Sequence, residues 1–295
     1  MWPTVSSTRA SGIADTLRRF ARHRGALAAA IFLLLLTVAA ALAPQLMPRD
    51  PLAQDLGAIL AKPTPGHPLG TDDLGRDVLA RIVYGARLSL AASLMAVAIA
   101  AVLGVPFGLI AGYAGGRTDD AIMRVNDALQ TIPALVLAMA IAATLGPGLF
   151  NVMVAVGIIF APRFARLVRG QALAVREEAF VESARAVGAS HARIIGRHVF
   201  PNVLSPILVQ ISISIAFALL AETSLSFLGV GIRPPEPSWG ADVGRGYRFM
   251  RRAPWLVFMP GMAVLLTTLA FNFVGDGVRA VLDPRQRHAP SRDLA

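Results

Sequence analysis

The chain has 295 residues, 55% of them hydrophobic and only 16% charged, with a formal net charge of +10. A soluble domain carries about 25% charged side chains, so this composition excludes an ordinary soluble protein, and a mean hydropathy of +0.59 assigns much of the surface to lipid rather than to nucleic acid. The absence of cysteine excludes disulfides, thiol catalysis and thiolate metal sites. Lys62, the single lysine, is followed by Pro63, which excludes a phosphate-binding loop ending in Gly-Lys-Ser/Thr and leaves any ATP dependence to a partner. The five histidines show no helical spacing around a glutamate, so no metal site is expected.

A spanning helix needs about 20 predominantly apolar residues to cross about 30 Å of hydrocarbon. The first such run, residues 25–43, follows Arg18, Arg19, Arg22 and Arg24. It ends in Ala41-Leu42-Ala43, as a cleaved signal would, but is longer than the usual core of one. An external loop, 44–87, comes next. Within it Thr71 is placed to cap a short amphipathic helix on which Leu74, Val78 and Ile82 share a face and Asp77 stands four residues before Arg81. A core over 88–282 then carries five further spans. The second span covers 88–112, where Gly104, like Gly85 before it, suits close helix packing.

The uncharged stretch 128–162 makes two spans if the turn Gly146-Pro147-Gly148 divides it, the first beginning near Ile122 and the second running to Val168. Arg124, Arg163 and Arg166 then lie at one membrane face, where they can snorkel. The fifth run, 203–231, contains one charge, Glu222, which reads as a gating, structural or substrate-contacting group near an irregular outer end. The sixth run covers 253–275. Asn126, Asp127, Asn272 and Asp276 read as boundary or interhelical polar groups, Met139 and Met153 as packing residues, and Trp239 and Trp255 as interfacial anchors. Six spans put both termini on one side. That side holds 18 of the 28 basic residues, so the segment 1–24 and the tail 283–295 are expected in the cytoplasm.

Between spans four and five, residues 168–202 pattern as helix, elbow, helix. Phe180, Val181, Ala184 and Val187 recur at helical spacing, Gly188 suits the left-handed residue that ends a helix, and Ser190 can cap the next. An amphipathic connector on the lipid surface and a docking element for a cytoplasmic partner both satisfy that pattern. The order Glu182-Ser183-Ala184, Gly188 and then Pro201 resembles the EAA loop of bacterial ABC-importer permeases, with Ser183 in place of the second Ala of the motif. Two external segments, HPLGTDDLGRDVLARIVYGARLSL from His67 and ETSLSFLGVGIRPPEPSWG from Glu222, resemble the C-type permease subunit of dipeptide and oligopeptide importers.

The resemblance implies an all-α membrane protein with the type I ABC-importer permease fold, a cytoplasmic coupling helix and no catalytic site of its own. It further implies a paralogous permease subunit, two ATPase subunits or one fused ATPase holding ATP and Mg, an extracytoplasmic substrate-binding protein, and a peptide as cargo. Glu182, Ser183, Ala184, Arg185, Gly188 and Pro201 would couple the chain to the ATPase. Nickel or haem as cargo stays open, as does, from another class, an ion-coupled secondary transporter with Glu222 as its ion site.

Overall fold

The structure is a computed structural model that describes Arg18 and residues 20–146 and 148–282. Residues 1–17 and Arg19 of the N-terminal segment, Pro147 and the tail 283–295 lie outside the described residues. Apart from two isolated bridges, Thr64 to His67 and Thr71 to Asp77, the described residues form helices, turns and loops.

Helix α1 (Arg24–Ala41) is apolar after Arg24 except for Thr37, whose hydroxyl bonds the Leu33 carbonyl, and it stops where Leu42 leaves helical geometry ahead of Pro44. After a long loop, α2 (Val78–Ala114) runs 37 residues without a break. The separate amphipathic helix expected before it does not form. Asp72 instead turns the chain on itself, accepting from the backbone N–H groups of Leu74 and Arg76. Thr71 donates to the Ala58 carbonyl rather than capping a helix. Asp77 takes the cap of α2, its Oδ1 accepting from the Ala80 N–H at 2.9 Å while its Oδ2 meets His67 at 2.9 Å and Arg49 at 3.4 Å, and Arg81 turns to Asp242 instead. At 1.5 Å per residue α2 is about 55 Å long, well beyond about 30 Å of hydrocarbon, so it projects from the membrane.

Next come α3 (Gly116–Thr131), α4 (Ala134–Leu145) and α5 (Leu149–Arg176). Pro133 cannot donate to the helical ladder, and α3 and α4 meet there at 94°. The expected third span is therefore a broken one. It nonetheless makes a return crossing, because α2 and α5 run parallel. Gly104 abuts Ala161 and Phe164, Gly108 abuts Ala165 and Val168, and Gly112 abuts Arg169 and Ala172, both helices advancing together. A chain entering two parallel spans must recross the membrane between them, so the bent pair is one span of six.

A short helix α6 (Ala179–Ala186) leads into α7 (His191–Phe227), which contains a π turn at Ile195–Val199. Helices α8 (Trp239–Tyr247) and α9 (Trp255–Leu282) complete the fold. Gly240 and Gly244 of α8 lie against the last turn of α7, and Gly277 near the end of α9 lies against Phe20 and Ala26. Both ends of the described chain therefore sit at the end of the bundle that carries α6.

The core is built from small residues of α2, α4, α5 and α7, among them Ala96, Ala100, Ala138, Val156 and Ala218, with Met153 fully buried as a packing residue. Leu34 and Leu35 of α1 and Phe258, Met262 and Leu265 of α9 are exposed, the pattern of helices solvated by lipid.

Candidate functional site

The eight residues of α6 stand outside the spans, and the sequence around them explains their shape. Gly188 has φ +78°, its N–H bonds the Arg185 carbonyl at 2.9 Å, and the Ala189 N–H bonds the Ala184 carbonyl at 3.0 Å. That pair of bonds is a Schellman close, which requires a left-handed residue after the helix. Ser190 then caps the next helix, accepting from the Arg193 N–H. Downstream, Pro201 offers no N–H to the helical ladder, and the π turn directly before it carries the shift in bonding. Its ring is exposed.

The expected single apolar face divides in two. Val181 and Ala184 point inward and join Leu109, Val168, Ile194, Val199 and Val203 in one cluster shared by α2, α5 and α7. Phe180 and Val187 point outward, Val187 with 83% of its surface exposed, and at spacings of three and four they share a face with Ser183. The Ser183 hydroxyl turns back to the Ala179 carbonyl, while Glu182 is exposed at the rim. An apolar knob with a charged edge, mounted on a rigid turn, is suited to entering a groove on another protein.

Behind this knob is a brace that the sequence did not disclose. The Arg185 guanidinium lies 5.3 Å from the centre of the Tyr113 ring, and the Tyr113 hydroxyl lies 3.1 Å from His191 Nδ1. Arg176 donates to the Gly112 and Tyr113 carbonyls, and Arg169 meets Asp119 at 2.5 Å. The end of α2 is thus tied to α6 and to the start of α7. A lone tyrosine at the end of a span reads as an interfacial residue, and only contacts 63 to 78 residues distant in sequence make it a junction.

Glu222 lies at the opposite end of α7, fully buried, with Oε1 accepting from the Ser226 hydroxyl at 2.7 Å and Ser89 and Ser238 beside it. The helix is regular through Phe227, contrary to the irregular outer half expected, and the chain turns only at Gly229 with φ +81°. The carboxylate sits where α7 meets α2 and the loop before α8, with Oε2 left without a hydrogen-bond partner. Trp239 is also fully buried, its Nε1–H bonding the Ile82 carbonyl and its ring lying over Gly85. Trp255 donates to the Thr71 carbonyl. Both tryptophans are internal ties and not the interfacial anchors expected. Asn126 is interhelical as anticipated, donating to the Pro162 carbonyl from α3.

Around them is a buried ionic cluster. Arg81 donates to Asp242 at 2.6 Å and 3.0 Å, Arg76 meets Asp72 at 2.6 Å, and Arg245 stands 3.7 Å from Asp72. Burial raises the Asp72 carboxyl above its ordinary range, and pushes Asp242 up to about 6 against the pull of Arg81.

Residues 104–288 match the family described as binding-protein-dependent transport system inner membrane component, and residues 11–63 match the N-terminal TM domain of oligopeptide transport permease C. The chain is 43% identical over 275 residues to a putative peptide transport system permease protein of Brucella abortus biovar 1 (strain 9-941), covering 93% of each. It is 43% identical to the probable D,D-dipeptide transport system permease protein DdpC of Escherichia coli (strain K12), over 87% of this chain and 86% of the other. To the di/tripeptide transport system permease protein DppC of Pseudomonas aeruginosa (strain UCBPP-PA14) it is 38% identical, over 95% and 94%. Among solved structures, the MetNI methionine ABC transporter in an inward-facing conformation shares the fold, with a TM-score of 0.57 at 20% identity over 68% of this chain and 96% of that one.

Proposed function

Because the chain belongs to the family of binding-protein-dependent transport system inner membrane components, with the type I ABC-importer permease fold, we propose that α6 is the element through which partner ATPases drive it and that its cargo is a di- or oligopeptide. The observation that carries this reading is the outward knob of Phe180, Ser183 and Val187 on a helix whose inner face is packed into α2, α5 and α7. The relatives that span nearly the whole chain are named for peptide, dipeptide and di/tripeptide transport, which supports the cargo.

The chain acts beside a similar permease, with the transport pathway between the two. An extracytoplasmic binding protein delivers the peptide, and ATP and Mg reside on the ATPase subunits. The end of the bundle with α6 and both described chain ends faces the cytoplasm, in keeping with the 18 basic residues counted there. ATP acts on the permease only through contacts that differ between its two states, so α6 must hold the ATPase while the spans rearrange. The Val181–Ala184 packing and the Tyr113 brace let a displacement of α6 reach α2, α5 and α7 together.

Gly188→Asp tests the assignment. The position is open, with no atom within 4 Å of an added Cβ, so the side chain fits, but the left-handed backbone is strained by roughly 1–2 kcal/mol and the docking face gains a charge. The variant is expected to insert normally and to lose most ATP-driven peptide uptake by the reconstituted transporter, together with co-purification of its ATPases. Unaltered uptake would show that α6 does not couple the chain to ATP.

A further inference from the structure

Four arginines lie along α5, and three of them meet a carboxylate. Arg166 pairs with Asp127 at 2.8 Å, Arg169 with Asp119 at 2.5 Å, and Arg176 with Glu177 at 2.7 Å. Arg163 has no carboxylate partner among the described residues. Its guanidinium carbon lies instead 4.9 Å from the centre of the Phe160 ring and 5.4 Å from that of Phe217 on α7. Aromatic faces hold the cation in place while leaving its fork of N–H donors unspent.

The sequence suggests snorkelling for this side chain, and its aromatic contacts point it elsewhere. Phe160 is one turn nearer the start of α5, so the guanidinium reaches back toward the apolar half of the helix, residues 149–162. The paired arginines, Arg166 to Arg176, lie the other way, where α5 leaves the membrane. A charge directed into a span avoids hydrocarbon and faces water or an ion. Arg163 is exposed, as is Phe217 at 47% one turn beyond the buried Ser214 of α7. Together Arg163 and Phe217 make an exposed cationic and aromatic strip across α5 and α7.

We propose that Arg163 is a substrate-contacting residue of the transport pathway, receiving the terminal carboxylate of the peptide while Phe160 and Phe217 hold the guanidinium in position. This rests on the peptide-importer reading above. A planar fork matches a carboxylate with two hydrogen bonds, and the terminal carboxylate is present in every linear peptide whatever its side chains.

The chain has no cysteine, so Arg163→Cys places one thiol on it. In vesicles holding the whole transporter, with trialanine as the probe, R163C is expected to reduce ATP-driven uptake by about tenfold or more, the loss of a two-bond, charge-assisted contact. Water-soluble 2-aminoethyl methanethiosulfonate should restore uptake by returning a positive charge, and the 2-sulfonatoethyl reagent should label the same thiol without rescue. A thiol that neither reagent reaches, or rescue by both alike, overturns the proposal. So does a defect that follows only the anionic-lipid content of the vesicles, which would assign Arg163 to headgroups. Should R163C not assemble, R163Q decides, and unaltered trialanine uptake by that variant overturns the proposal. A wild-type transporter that takes up no peptide overturns the importer reading itself.

Discussion

At the scale of single residues, the same chemical type acquires different roles from its surroundings. Gly188 is required by its backbone conformation, having open space around it, whereas Gly104 is required by contact, having Ala161 and Phe164 against it. Glu222 shows the same dependence. In the sequence an intramembrane carboxylate suggests an ion or substrate site, but here one oxygen accepts from Ser226 and the residue has no exposed surface. Glu222→Gln keeps that acceptor and adds an amide donor beside the unpaired Ser89 hydroxyl. It is therefore expected to leave ATP-driven uptake within about twofold of wild type, because the Ser226 bond is kept and the oxygen that is replaced, Oε2, has no partner to lose. An ion-coupled transporter using Glu222 would lose transport in the same assay.

At the scale of elements, the α2–α5 pair dominates the bundle. Without a hydrophobic driving force between helices in lipid, close backbone approach supplies the attraction, and Gly104, Gly108 and Gly112 provide it at intervals of four. An added Cβ at Gly108 would stand 2.5 Å from the Ala165 carbonyl oxygen and one at Gly112 would stand 2.6 Å from that of Arg169. Gly108→Ala is expected to destabilise the detergent-solubilised chain by about 1–3 kcal/mol, because backbone rather than a flexible side chain must move. Gly170→Ala, on α5 with no atom near the new methyl, should instead be neutral or stabilising by up to about 1 kcal/mol. Thermal unfolding of both variants checks the contrast. The alternation of small residues was visible in the sequence for Gly104, but its partner helix was not. Two spans 60 residues apart give no sequence signal that they run parallel.

At the scale of the whole molecule, the end of the bundle that carries Asp242 is closed by charges and the end that carries α6 by a brace. The ionic cluster makes stability pH-dependent in a definite direction. Asp242 binds a proton near pH 6 in the folded chain and near 3.8 when unfolded, so between those values the folded form holds more protons. Stability contributed by this group is therefore fully present below 3.8 and is lost as pH rises through about 6. Raising the pH from about 4.5 to about 6.5 should cost wild type on the order of 2 kcal/mol more than Asp242→Asn, which keeps an acceptor for Arg81 without titrating. Melting curves of the two proteins at both pH values measure the difference, and equal slopes would refute a buried, titrating Asp242.

Composition and local pattern determined the membrane class, the six apolar stretches, the absence of a nucleotide-binding loop and the elbow at Gly188, because each depends on residues close in sequence. The folded arrangement decided what depends on partners far away. It merged the supposed external helix into α2, since Asp72 preferred a turn and Asp77 the cap. It buried Trp239 and Trp255 as ties between elements, gave α6 two faces, and set Arg163 apart from its paired neighbours. Periodicity reports that a residue is apolar or charged and which way its own helix turns. Whether lipid, water or another helix lies on that side is settled only when the spans pack.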